Sequence, residues 1–215
     1  MSDMRYFGTY ADFRAASKKE SEVLVGADNL VGDLFTVDFR VENGRTTAWI
    51  VNKFGVAIGR LDQSLTHRLD VLRARGWCLH ALLSQVFCDN APDPGTYWGR
   101  VALVCNEARY EPEIGVYLAK LGAELGKGIR PVVDLAPAGV DALLAAGGDW
   151  LSSDHLPLEN PPKGTVLVKD SQSFLDKMVE QGRARNPGCY VVSWLFIIAL
   201  VALVVFVVGK LVGWF

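Results

Sequence analysis

Ser152, Ser153, Asp154 and His155 stand side by side after Trp150-Leu151, a hydroxyl, a carboxylate and an imidazole of the kind a nucleophilic hydrolase uses. A working triad draws its members from distant parts of a chain, and adjacent side chains do not generally converge on one bond. No G-x-S-x-G elbow accompanies them. A hydrolase centred on residues 149–155 is therefore the third reading of this chain, and no catalytic residue is assigned. Gly122-Ala-Glu-Leu-Gly126-Lys127-Gly128 has the outline of a phosphate loop, but Leu121 stands where the Walker pattern needs its first glycine. Gly128 follows the lysine where Ser or Thr would ligate magnesium, so the stretch reads as a helix C-terminus. The three histidines, His67, His80 and His155, join no Cys/Asp/Glu set at ligand spacing, and neither metal nor cofactor is expected. Cys78, Cys88, Cys105 and Cys189 form no C-x-x-C pair. The first three read as reduced, buried thiols, and Cys189 as an unmodified interfacial residue.

Binding chemistry has more material. Between residues 23 and 106 lie Arg40, Arg45, Lys53, Arg60, Arg68, Arg73, Arg75 and Arg100, balanced by eight Asp and Glu residues. If these arginines gather beside Trp49, Trp77 or Trp98, a basic groove with stacking platforms follows. Arg40, Trp49, Arg60, Arg68, Arg73, Arg75, Trp77 and Trp98 are accordingly the candidate binding surface.

Residues 1–22 read as an N-terminal segment with a short amphipathic helix around Asp12–Lys19. From Glu22 the pattern becomes one of strands: Val23–Val25, Leu34–Val41 with alternating Phe35, Val37, Phe39 and Val41, Thr46–Asn52 and Val56–Leu61. Asn43-Gly44 supplies the tight-turn signal of a hairpin. Asp62 caps a helix over Gln63–Arg75 that Gly76 stops. Trp77–Phe87 and Tyr97–Cys105 complete a small, strongly bent sheet or barrel spanning 23–106. An α/β accessory region, 107–185, follows: helices over Glu113–Leu125 and Pro137–Ala146, short strands at Arg130–Leu135 and Thr165–Lys169, and a helix from Ser171 to Gln181. The class is α+β, an SH3-like barrel with accessory helices.

Phe39-Arg40-Val41, Ala48-Trp49-Ile50-Val51, Ala57-Ile58-Gly59-Arg60-Leu61, the Ser64–Arg75 helix, Gly76 and Leu79–Val86 follow one another in the order and spacing of the HIRAN family. Residues from about 34 to 104, a third of the chain, thus resemble that small β-barrel domain. The resemblance implies a HIRAN-like fold. Several family members recognise single-stranded DNA ends, so it also implies a second reading, a membrane-tethered module for single-stranded nucleic acid. Glu42-Asn43-Gly44-Arg45 replaces the family's acidic, Asn- and Pro-rich loop, and Arg60 stands where a Tyr usually follows Ile-Gly.

Tyr190–Val208 is an uncharged run of nineteen residues. As a helix it would reach about 28 Å, close to the roughly 30 Å hydrocarbon core of a bilayer. Tyr190, Trp194, Phe196, Phe206 and Val208 mark this transmembrane helix. Asn186-Pro187-Gly188-Cys189 is the joint before it, and residues 209–215 are a short translocated tail. Lys177, Arg183 and Arg185 precede the span and only Lys210 follows, which puts the N-terminal domain in the cytoplasm. The reading is a tail-anchored, single-pass protein of a bacterial inner membrane, or alternatively of a eukaryotic organelle. No cleavable signal is visible in residues 1–22. Lys210 is the only charge after Arg185, so the part before the span is one unit more negative than the chain's −2. That excludes generic binding to nucleic-acid backbones or anionic lipid by net charge alone. The leading expectation is a non-enzymatic protein that meets the lipid bilayer through its span. Its cytoplasmic domain binds or scaffolds a protein partner, or a second copy of itself; nucleic acid is the less favoured partner. The span carries no G-x-x-x-G.

Overall fold

The structure, a computed structural model, describes residues 5–15, 17–42, 44–90, 95–157, 161, 163–173, 196, 197 and 200. Residues 1–172 form one compact unit. It is built on seven antiparallel strands: β1 (Tyr6–Arg14), β2 (Leu34–Glu42), β3 (Arg45–Val51), β4 (Ala57–Leu61), β5 (Trp77–Asp89), β6 (Thr96–Glu107) and β7 (Thr165–Lys169). Their order is β2-β3-β4-β1-β6-β5-β7, and β2 also pairs with β5, so six strands close a barrel and β7 extends it. The helices are α1 (Lys18–Ser21), α2 (Gln63–Ala74), α3 (Glu111–Gly126) and α4 (Pro137–Ala145). The expected α+β class with a small barrel stands.

Alternation sorts the strands into two faces. Phe7, Ala11 and Phe13 of β1 point into the barrel with Ala48, Ile50, Leu83, Val86, Val101 and Leu103, and Leu69 and Leu72 of α2 pack on the same core. Tyr6, Leu82, Ala102 and Val104 face outward and meet Tyr117, Leu118 and Leu121 of α3 and Val140 and Leu143 of α4. A Cβ at Gly59 or Gly99 would overlap the Phe13 ring, so two glycines make room for one fully buried phenylalanine. The β2–β3 hairpin turns with Gly44 at φ +74°, a conformation a side chain would strain.

The length of β5 lets it serve two neighbours: its first half pairs with β2 through His80, Ala81 and Leu82, its second half with β7. Between the halves the register shifts at Leu83/Gln85. One extra residue, Ser84, turns the later side chains to the opposite face, so Leu83 and Val86 both point inward while Gln85 and Phe87 point out.

Three expectations are corrected. Residues 1–22 are not a helical segment: Tyr6–Arg14 is a barrel strand, and the helix is the single turn Lys18–Ser21, capped by the Ser17 hydroxyl. Phe7, Ala11 and Phe13 alternate with Tyr6, Tyr10 and Asp12, and that period of two governs. Val23–Val25 belongs to a 3-10 turn, Glu22–Val25, which buries Leu24; Asn29 donates to the Val23 carbonyl and favours the turn. Arg130–Leu135 is no strand but a single bridge, Pro131 to His155, held by Val132 N–H to the Asp154 carbonyl and Leu156 N–H to the Arg130 carbonyl; the Asp154 N–H goes to the Ser152 hydroxyl instead of completing a longer ladder.

The second unit, 173–215, contains helical residues at Phe196, Ile197 and Leu200. The rest of the 190–208 stretch, the joint 186–189, the tail 209–215 and most of the Ser171–Gln181 helix lie outside the described residues. Among the described residues no helix is long and apolar enough to cross a membrane.

Candidate binding groove

Strand pairing places several predicted residues on one outward-facing rung. Asp38 lies opposite Trp49, Trp49 opposite Arg60, Arg60 opposite Arg14, Arg14 opposite Trp98 and Trp98 opposite Phe87. The Arg40 guanidinium sits 5.3 Å from the Trp49 ring centroid and that of Arg14 5.2 Å from Trp98, which stacks on Phe87 at 4.2 Å. Trp49 donates from Nε1 to Glu42 and Trp98 from Nε1 to Asp89, each at 2.8 Å. Covered in this way, the two tryptophans are only 6% and 4% exposed, so neither presents an open face for a base. Arg73 and Arg75, at the C-terminal end of α2, and Trp77, which opens β5, lie apart from this rung. Arg73 stacks on Phe39 and pairs with Asp70.

Asp89 binds the rung together. Its Oδ1 accepts from Trp98 Nε1 and Thr165 Oγ1, both at 2.8 Å, and its Oδ2 from Arg14 Nη1 at 3.0 Å. Burial opposes the charged form, but these donors outweigh it and hold the carboxyl below its ordinary range. Sequence reading missed Arg14, Phe87 and Asp89 because their role depends on pairings between distant strands.

The same strands leave an opening. β1 pairs with β6 along its whole length but with β4 only at Phe13 and Arg14. The cause is local: β4 ends at Leu61, and Asp62 immediately caps α2 by accepting from the Ser64 and Leu65 backbone N–H groups. The β4-side edge of Phe7–Ala11 therefore has no strand partner among the described residues. Beside it runs a groove of about 760 Å³ lined by Phe7, Thr9, Ala11 and Leu61, by Ser64, Leu65 and Arg68 of α2, and rimmed by Asp12, Arg14, Arg60, Asp62 and Asp134. Arg68 lies 3.8 Å over the Phe7 ring. Arg14 is paired with Asp89 and Asp12 with Arg100. Arg60 and Arg68 have no ion-pair partner among the described residues. The backbone N–H of Leu65 is the chief cause that keeps the Asp62 carboxyl below its usual range.

The chemistry-bearing residues elsewhere are less open. His80 Nε2 lies 3.2 Å from the Glu111 carboxylate, which also accepts from Asn106 Nδ2 at 3.1 Å. Burial and the neighbouring Glu111 push the Cys78 thiol up, the wrong direction for a nucleophile. Burial raises Cys105 to about 12. His67 is exposed on α2. In the 149–155 segment the Ser152 hydroxyl accepts from the Asp154 backbone N–H at 3.1 Å, a local turn, and His155 makes no side-chain hydrogen bond among the described residues. Gly126-Lys127-Gly128 ends α3, with Gly128 at φ +83°. No group of three or more His, Cys, Asp or Glu side chains is arranged to hold a metal among the described residues.

Comparison of the chain with protein-family models and with curated proteins found no match.

Proposed function

We propose that this chain is a membrane-tethered binding protein whose barrel takes up an extended segment of a partner protein along the free edge of β1. The observation that carries the reading is the early end of β4, which leaves Phe7–Ala11 unpaired beside the groove of about 760 Å³. An added strand would satisfy the open backbone groups of β1, and alternate side chains would enter the groove. Arg60 and Arg68, which make no ion pair among the described residues, offer guanidinium donors to a carboxylate of the segment, with Asp62 and Asp134 beside them for its basic groups. The sequence 190–208 supports the tether, and tethering raises the effective concentration of such a domain at a surface. The strand, hairpin, strand, helix, strand order over 34–104 supports a HIRAN-like barrel as its framework.

The test is purification of the full chain from a detergent extract, beside an Arg60→Glu/Arg68→Glu variant and a Leu65→Trp variant that fills the groove. The wild type should retain a stoichiometric partner that both variants lose at unchanged melting temperature. Absence of any stoichiometric partner or self-assembly with the wild type removes the reading. Salt-dependent binding of single-stranded DNA by the full chain would favour the nucleic-acid alternative in its place.

A further inference from the structure

A second, smaller cavity lies on the outer face of the barrel and takes no part in the groove's role. Its floor is the rung Asp12, Arg100 and Gln85, contributed by β1, β6 and β5. Tyr10 closes one side and Arg130, Leu156 and Pro157 complete a volume of about 220 Å³. Gln85 reaches this rung only because the Ser84 bulge turns it outward.

Two of the lining side chains are more than nine-tenths buried and short of partners. Arg130 is 6% exposed. Its Nη1 donates to the Gly128 carbonyl at 3.1 Å and its Nη2 to the Asp170 carbonyl at 3.3 Å, but its buried Nε–H has no acceptor. No carboxylate lies within ion-pair distance of it among the described residues. A guanidinium withdrawn from water with no carboxylate in contact, and only the Asp170 charge acting on it from farther off, is an unfavourable arrangement by itself. Gln85, 3% exposed, makes no side-chain hydrogen bond among the described residues. Asp12 shares the cavity, but its carboxylate accepts from Arg100 Nε at 2.7 Å and Nη2 at 3.4 Å. The Tyr10 hydroxyl is committed to the Pro131 carbonyl at 2.9 Å. What remains is one positive charge, one amide with free donors and an apolar lip made by Leu156 and Pro157.

We propose that this cavity binds a small aliphatic monocarboxylate, its head group held by Arg130 and Gln85 and its tail against Leu156 and Pro157. The single guanidinium without a contacting carboxylate, with the Asp12 and Asp170 charges nearby, selects a monoanion over a phosphate dianion. The volume of about 220 Å³ accommodates a short aliphatic chain.

The experiment titrates acetate, butyrate and inorganic phosphate into the full chain in detergent at constant ionic strength, with chloride as the balancing anion, and follows the melting temperature. Butyrate should raise it saturably and at lower concentration than acetate, as a ligand of the folded state does. Gln85→Leu and Arg130→Met should each weaken butyrate at least tenfold, and Arg45→Ala, an exposed arginine remote from the cavity, should not. Arg130→Met also removes two ties to backbone carbonyls, so Gln85→Leu, which keeps them and nearly conserves volume, carries the test if the arginine variant fails to fold. No saturable shift with either carboxylate, or unchanged butyrate affinity in Gln85→Leu, overturns the site. Phosphate binding more tightly than butyrate overturns the choice of ligand.

Discussion

Asp89 shows how much one carboxylate holds in this fold. Two of its donors, Trp98 and Thr165, share Oδ1, and Arg14 takes Oδ2, so it joins β5 to β6, β7 and β1. Asp89→Asn keeps an acceptor for Trp98 and Thr165 but turns an amide N–H₂ toward the Arg14 guanidinium. Loss of one charge-assisted bond between a carboxylate a quarter exposed and an Arg14 side chain 63% exposed costs about 1 kcal/mol at neutral pH, solvent screening included. Because the folded carboxyl titrates below its ordinary value near 3.9, its stabilisation is complete above that pH and disappears as pH falls through the folded value. Urea melts of the two proteins should differ by a constant amount between pH 5 and 8, and the gap should narrow as pH falls below that ordinary value. A gap that stays constant down to the lowest pH at which both proteins fold would show that packing, not charge, accounts for the loss.

At the scale of elements, the pairing of β1 with β4 and β6 depends on the room that Gly59 and Gly99 leave for Phe13. Gly99→Ala should destabilise the protein by about 1–3 kcal/mol through overpacking. Phe13→Leu in that background should recover part of the loss, whereas Phe13→Leu alone should cost stability, a coupling that a double-mutant cycle measures. Additive losses would dismiss the contact. The elements that local chemistry dictates were legible in the sequence: the Gly44 turn, the Asp62 cap, the Gly76 stop and five of the six barrel strands all fall where residue type demands. β1 was not. Its alternation is interrupted by Gly8 and Thr9 and followed by charges at helical spacing, and only pairing with the long β6 makes it a strand. The groove was legible only in Arg60 and Arg68, since an unpaired edge is a property of where β4 stops. Gln85 left one trace, the Ser84-Gln85 pair that breaks the apolar run of β5 and marks the bulge.

The whole molecule is a barrel unit followed by an apolar stretch, and the magnitudes say what the proposed tether through that stretch would be worth in a bilayer. Fourteen Leu, Ile, Phe and Val residues between 190 and 208, at about −0.3 to −0.6 kcal/mol each, give an insertion free energy on the order of −4 to −8 kcal/mol. An arginine at the centre of a span costs about 2.5–3.5 kcal/mol. One such substitution leaves insertion favourable or near balance, whereas Ala199→Arg with Ala202→Arg removes about 5–7 kcal/mol, most or all of the driving force. The wild-type chain should therefore stay with membranes through an alkaline carbonate wash and require detergent for release. The double variant should appear in the wash with its barrel intact, read by an unchanged melting temperature. Protease added to sealed vesicles should reach the barrel from the side that faces the cytoplasm, because Lys177, Arg183 and Arg185 outnumber Lys210 across the span. Carbonate release of the wild type would remove the tether, and protection of the barrel inside the vesicles would reverse its orientation.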